Sequence, residues 1–195
     1  MSPDVRLAES ANAFAQRHDG WEDIARSYAA LSESLFIAGV VLLAIVGLVL
    51  RRRQWVAASA LSVVASAAAV AVAAVIARVV DRPRPFVDHH RIHLFLAHAP
   101  DPGFPSDHAT AAFAIACVLL LRLGPRALPV LLAAAALAVS RVLVGVHYPG
   151  DVLAGALLGT AAALLVCLIA AKPPRRLTRA RTWSIGTTGA TPRPR

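Results

Sequence analysis

The sequence predicts an all-α protein: a polytopic bundle of about five membrane-spanning helices, preceded by an amphipathic N-terminal segment. Three observations carry this. Of 195 residues, 57% are apolar and only 16% charged, whereas soluble domains carry about 25% charged residues. The apolar residues fall into five long runs, and the mean hydropathy is +0.62. The basic residues between those runs collect in alternate links, as they do in chains that cross a membrane repeatedly.

Residues 1–33 hold Phe14, Trp21 and Tyr28 among charges and alanines. Two readings stand for this segment: an amphipathic helix lying at the membrane interface, or a solvated helix. It has no apolar core and no cleavage site, so a signal peptide is not expected. The runs that follow cover residues 35–50, 55–77, 109–121, 127–144 and 152–171. A span takes about 20 apolar residues, and three runs meet that length or nearly do. The run at 109–121 is short, and its helix is expected to begin at Ser106. Three segments result: 1–33, amphipathic; 34–171, the membrane domain; and 172–195, a basic tail rich in Arg, Thr, Gly and Pro, expected to be disordered and cytoplasmic.

Charge predicts the orientation. Arg51, Arg52, Arg53, Arg122, Arg126 and seven residues of the tail make up twelve of the twenty basic residues, and the same segments hold none of the eleven acidic ones. Those segments are expected to face the cytoplasm of a multi-pass inner (plasma) membrane protein. The N-terminus, the 81–107 loop and the 145–151 turn then face outward. The net charge of +9 is accounted for by this asymmetry, and a nucleic-acid partner is not expected. Cys117 and Cys167 fall inside runs and read as core filler.

Three polar signatures interrupt the apolar sequence, all at ends expected to face outward. In Arg82-Pro83-Arg84-Pro85, the prolines end a helix and hold the chain extended. The arginines suit phosphate, which they bind in bidentate fashion, and they also suit an interfacial anchor. In Pro105-Ser106-Asp107-His108, Ser106 is a helix N-cap, and the free N–H groups beyond it attract an anion beside His108. A capped helix with an incidental histidine fits the same residues. In the third, Ser140-Arg141 is followed by His147 and, across a Pro-Gly turn, by Asp151. Arg141 is costly at membrane depth without a partner. Asp151 either caps the last helix or holds one ring nitrogen of His147 and leaves the other free to attack; the second reading is preferred.

Taken together, the three signatures resemble the type 2 phosphatidic acid phosphatase superfamily. Its pattern is Lys, six residues, Arg-Pro; then Pro-Ser-Gly-His; then Ser-Arg, five residues, His, three residues, Asp. Ser140, Arg141, His147 and Asp151 match the third part in full, and the second part matches with Asp107 in place of Gly. Arg84-Pro85 keeps the first part, but the lysine position is Ala77. The run from Arg84 to His90, with Phe104 to His108, looks most like the bacterial undecaprenyl-pyrophosphate phosphatases of the bacitracin-resistance type.

The resemblance implies a metal-independent lipid phosphatase without cofactor, acting on a membrane lipid phosphate or pyrophosphate. His147 would attack phosphorus and form a phosphohistidine, with Asp151 orienting it. His108 would protonate the leaving group and then activate water. Arg84, Arg141, Ser106, Asp107 and the helix-start amides would cradle the phosphoryl oxygens, with Arg82, ahead of Arg78, supplying the charge missing at Ala77. The favoured substrate is undecaprenyl pyrophosphate; phosphatidic acid and phosphatidylglycerol phosphate are alternatives, as is a non-catalytic lipid-phosphate binder or flippase. His89, His90, His93 and His98 invite a metal reading, but no cysteine or well-placed carboxylate completes a ligand set, although Asp88 is close, and a polar interfacial loop is preferred.

Overall fold

The computed structural model describes residues 2–171. The tail expected from residue 172 onward lies outside the described residues. Every regular element among the described residues is helical. Helix α1 (Pro3–Gln16) starts where Ser2 accepts a hydrogen bond from the Val5 amide at 3.3 Å. Helix α2 (Asp19–Val49) contains the first apolar run as its second half. No break occurs at Ser32-Glu33-Ser34, because Ser32 is buried and turns its hydroxyl back to the Ala29 carbonyl at 3.5 Å. Helix α3 (Arg53–Val80) ends at Asp81, which adopts a left-handed conformation with φ 46°; aspartate tolerates this region, and Pro83 could not continue the helix.

A single turn, α4 (Pro85–Asp88), follows Arg84. Helix α5 (Asp107–Leu123) begins at Ser106, as the sequence predicts, with the Ser106 hydroxyl accepting from the Ala109 amide at 3.4 Å. A 3₁₀ turn (Gly124–Ala127) reverses the chain into α6 (Leu128–Leu143), and α7 (Pro149–Ala171) closes the bundle.

Among the described residues, four stretches are long and apolar enough to cross a membrane, against about five expected runs. The difference lies in the third stretch, Asp107–Leu143, which holds two of the runs. Its helices have 17 and 16 residues, so each reaches only about 25 Å at 1.5 Å per residue. They fold back on each other as a hairpin: Ala109 packs with Val142 at one end, and Leu119 with Ala127 at the other.

The packing is that of a membrane bundle. Buried positions are mostly small, as at Ala58, Ala65, Ala69, Ala114 and Ala163. Large apolar side chains such as Leu42, Val64, Leu132 and Leu157 point outward. Lipid is as apolar as leucine, so close backbone approach drives helix association there. The closest approach is α7 on α5. A Cβ at Gly155 would stand 2.5 Å from the Ser106 carbonyl oxygen, and one at Gly159 would collide with the Thr110 carbonyl. Gly159→Leu is therefore expected to lower the thermal midpoint in detergent, with overpacking costing about 1–3 kcal/mol. Leu157→Ala, on the outward face, is expected to change it little. Equal effects would contradict this packing.

Candidate active site

Three connections meet at one end of the bundle. The Gly103 amide donates to the Arg82 carbonyl at 2.8 Å, the Ser106 amide to the Asp151 carbonyl at 3.0 Å, and the Phe95 amide to the Val144 carbonyl at 3.1 Å. Helix α1 ties in as well. Asn12, fully buried, donates to the carbonyls of His93 and Leu143 at 2.9 Å each and accepts from the His93 amide at 2.8 Å. Gly145 sits against this anchor with φ +81°, and a Cβ there would stand 2.5 Å from the His93 carbonyl oxygen. The three polar signatures are thus brought into one site.

His147 is 1% exposed. An arginine N–H can only donate, so Arg84 Nη1, 3.2 Å from Nε2, fixes Nε2 as the unprotonated ring nitrogen, whose lone pair accepts this hydrogen bond. Nδ1 then carries the proton and donates to the Gly103 carbonyl at 3.0 Å. Asp151 Oδ2 lies 3.7 Å from Nδ1 and accepts from the Tyr148 amide at 2.8 Å. Asp151 caps α7 and stands near the imidazole, while the Nδ1 proton goes to the Gly103 carbonyl and not to Asp151. It reaches back to the N-cap residue of α7, in the manner of a capping box, and it faces the imidazole. Burial pushes the His147 pKa down to about 4, with the Arg141 and Arg84 charges adding to the shift and Asp151 opposing it.

Two arginines line the same space. Arg84 also donates from Nη1 to the Val146 carbonyl at 3.1 Å and from Nε to Asp101 Oδ1 at 2.9 Å. Burial raises the Asp101 carboxyl, but the hydrogen bond and charge of Arg84 outweigh it and hold the group below its ordinary range. Arg141 is 2% exposed, and its buried Nε and Nη2 have no partner. A buried guanidinium with two orphaned donors needs an anion.

His108 opens α5. Its Nδ1 lies 2.9 Å from Asp107 Oδ1, and its Nε2 lies 3.3 Å from Glu33 Oε2 on α2. His108, Asp107 and Glu33 stand at the mouth of an apolar cavity of about 470 Å³ between α2, α3 and α5, floored by Phe36, Val63 and Ile115. A smaller cavity of about 260 Å³ is bordered by Ala77, Arg78, Arg84, Asp101 and Asp107. Arg82 is turned elsewhere, donating to Asp151 Oδ1 at 2.7 Å and to Asp4 Oδ2 at 2.6 Å while lying over the Tyr148 ring.

The histidine-rich loop spreads out. His89 packs edge-on against Tyr148, His93 lies beside Phe95, and His98 turns to the Ala99 carbonyl. Among the described residues, no group of three or more His, Cys, Asp or Glu is placed to hold a metal. Sequence reasoning missed Asp4, Glu33, Asp101 and the Gly103 carbonyl. Only Gly103 carried a signal, as a glycine directly after Pro102; in the structure a Cβ there would stand 3.1 Å from Arg84 Cγ.

Comparison with known proteins points the same way. The PAP2 superfamily pattern matches residues 55–175. The decaprenylphosphoryl-5-phosphoribose phosphatase of Mycobacterium tuberculosis is 41% identical over 127 residues, covering 65% of this chain and 67% of that protein. The undecaprenyl-diphosphatase BcrC of Bacillus subtilis is 45% identical over 71 residues, 36% of each chain. The crystal structure of Aquifex aeolicus LpxE shares the fold with a TM-score of 0.69 at 21% identity, covering 86% of this chain and 96% of that one.

The buried imidazole makes stability depend on pH. His147 stays neutral when folded until pH falls to about 4, while the unfolded chain takes up a proton near 6.5. The unfolded state therefore binds more protons in that window, and stability is expected to fall as pH drops through it. Nitrogen shifts of the labelled His147 ring should report a neutral imidazole with the proton on Nδ1 at neutral pH. A ring that titrates near 6.5 would contradict the buried geometry.

Proposed function

We propose that this chain, which belongs to the PAP2 superfamily and is a multi-pass membrane phosphatase, hydrolyses a prenyl pyrophosphate, undecaprenyl pyrophosphate, to the monophosphate and inorganic phosphate. The observation that carries the reading is Arg141, with its two orphaned buried donors, in the charge environment of an imidazole whose Nε2 is unprotonated and held by an Arg84 N–H that an incoming phosphoryl oxygen would take over. An anion held there meets a nucleophile.

In this reading the Nε2 lone pair of His147 attacks the terminal phosphorus. The bond from phosphorus to the bridging oxygen breaks, and His108 gives its proton to that oxygen. The phosphohistidine keeps its Nδ1 proton on the Gly103 carbonyl, facing Asp151, whose charge offsets the imidazolium. His108, now neutral, takes a proton from water; the hydroxide attacks phosphorus, the P–N bond breaks, and phosphate leaves. Arg84, Arg141, Ser106 and the amides at the start of α5, including that of Asp107, stabilise the equatorial oxygens. The apolar cavity beside His108 is suited to the lipid chain. The arginines at 51–53, 122 and 126 lie at the opposite end of the bundle, which supports an extracytoplasmic site in the plasma membrane.

A second reading is favoured by the M. tuberculosis relative: a decaprenyl-linked sugar phosphate as substrate. Glu33, beside His108, could accept hydrogen bonds from sugar hydroxyls. Phosphate release from both lipids, in chelator and with right-side-out vesicles, separates the two. His147→Ala is expected to fold and to lose turnover, and a rapid quench should leave phosphate on His147. Full activity in that variant, or phosphate on another residue, would sink the mechanism and leave a binder or flippase.

The cation for the position held by Ala77 is, in this reading, Arg78, which borders the small cavity with Arg84 and Asp107; Arg82 is committed to two carboxylates. Arg78→Ala is expected to cost about 10²-fold in kcat/KM, on the scale of losing one oxyanion donor, and Ala77→Lys should restore much of it. The same lysine should not rescue Arg82→Ala. Rescue of Arg82→Ala alone would reverse the assignment.

A further inference from the structure

The N-terminal helix reaches the reacting centre through a chain of charged contacts that the reaction scheme has not used. Asp4, in the first turn of α1, accepts from Arg82 Nη2 at 2.6 Å with Oδ2 and from the Gly150 amide at 2.8 Å with Oδ1. Arg82 spans from Asp4 to Asp151 Oδ1 at 2.7 Å, its guanidinium 4.1 Å above the Tyr148 ring. Asp151 is fully buried. Its other oxygen faces His147 Nδ1 at 3.7 Å. A Cβ at Gly150 would stand 2.9 Å from Asp4 Oδ2, so the carboxylate would have to shift to admit one. Helix α1 is held in place independently by Asn12, so Asp4 is delivered to the site by an element with its own anchor. It also lies outside residues 55–175, the segment that carries the family pattern.

We propose that Asp4 is a positioning residue for the reaction at His147, acting through Arg82 on Asp151; the proposal rests on His147 being the nucleophile. Two effects combine. Asp4 fixes the guanidinium that fixes one oxygen of Asp151, leaving the other aimed at the imidazole. It also neutralises Arg82. Without Asp4, the full charge of Arg82 would offset that of Asp151, and Asp151 could stabilise the imidazolium of the phosphohistidine less. The other charges facing His147 remain: Arg84 against Nε2, paired with Asp101; Arg141 at the end of α6; and Asp107 at the start of α5. Two of these are cations beside the ring, so the net field at His147 depends on Asp151 being uncompensated.

The test is Asp4→Asn, which keeps the shape and one of the two acceptors but removes the charge, with Asp4→Glu as the conservative partner. Asp4→Asn is expected to lower kcat by about tenfold or more, within the range that small misplacements at a reacting centre cost, with KM unchanged. The acid limb of kcat/KM should move to lower pH, because an uncompensated Arg82 makes His147 harder to protonate. Asp4→Glu should recover most of kcat. Combining Asp4→Asn with Arg82→Gln should cost less than the product of the two single effects, because both act along one path. Thermal midpoints of all variants are measured alongside. A loss that follows the midpoint, with no change in the pH profile and no coupling to Arg82, would reduce Asp4 to a fold contact and overturn the proposal. Wild-type kcat and pH profile in Asp4→Asn would overturn it too. Neither outcome touches the nucleophile assignment, which fails instead if His147→Ala retains turnover.

Discussion

Everything at the site end of this bundle depends on how one buried carboxylate is partnered. Asp151 has no solvent exposure, and an isolated carboxylate in such a place costs several kcal/mol. The cost is met by Arg82 on one oxygen, by the Tyr148 amide on the other, and by the amino end of α7, whose dipole favours a negative charge. Each of these partners belongs to a different part of the chain. The Asp151 backbone carbonyl also receives the Ser106 amide, which places the start of α5 against the start of α7. One residue thereby registers two helix ends and a loop before it does anything for the imidazole.

The remaining electrostatics follow from a surplus of positive charge. Arg84 and Arg141 both stand beside a neutral imidazole, and only Arg84 has its partners in hand, in Asp101 and the Val146 carbonyl. The orphaned donors of Arg141 leave the site under-satisfied, a deficit that an anion such as the proposed phosphoryl group would remove. Preorganised donors of this kind need no rearrangement when charge develops. Burial keeps the imidazole unprotonated, and the same cations add to that effect.

The fold supplies this rigidity with small residues. Gly155 and Gly159 let α7 lie directly on the backbone of α5, and alanines fill most of the interior. Ser106 and Asp151 lie one turn or less from that contact, so the distance between the oxyanion cradle and the carboxylate is set by backbone touching backbone. Larger side chains are turned out toward lipid, where their bulk costs nothing.

The sequence by itself determined the class of fold and the family, and it named the residues of a candidate site. Apolar runs and charge asymmetry are local properties, and they predicted the helices and the common end at which Arg84, Ser106, His108, Arg141, His147 and Asp151 meet. The run count came close: about five was expected, and the structure has four stretches, one of them holding the α5–α6 hairpin, because the short helices there are divided only by a 3₁₀ turn. The tertiary structure alone decided the pairings. Nothing in the sequence near Arg82 says that its guanidinium turns to Asp4 and Asp151 rather than to the cavity bordered by Arg78. Nothing near His147 says that its Nδ1 proton goes to the carbonyl of Gly103, because a backbone acceptor leaves no trace in residue type. Asp4 and Glu33 read as ordinary acidic residues of amphipathic helices until α1 and α2 are folded against the site. Which donor meets which acceptor across 44, 69 or 78 residues is set by how the helices pack, and that is a property of the whole chain.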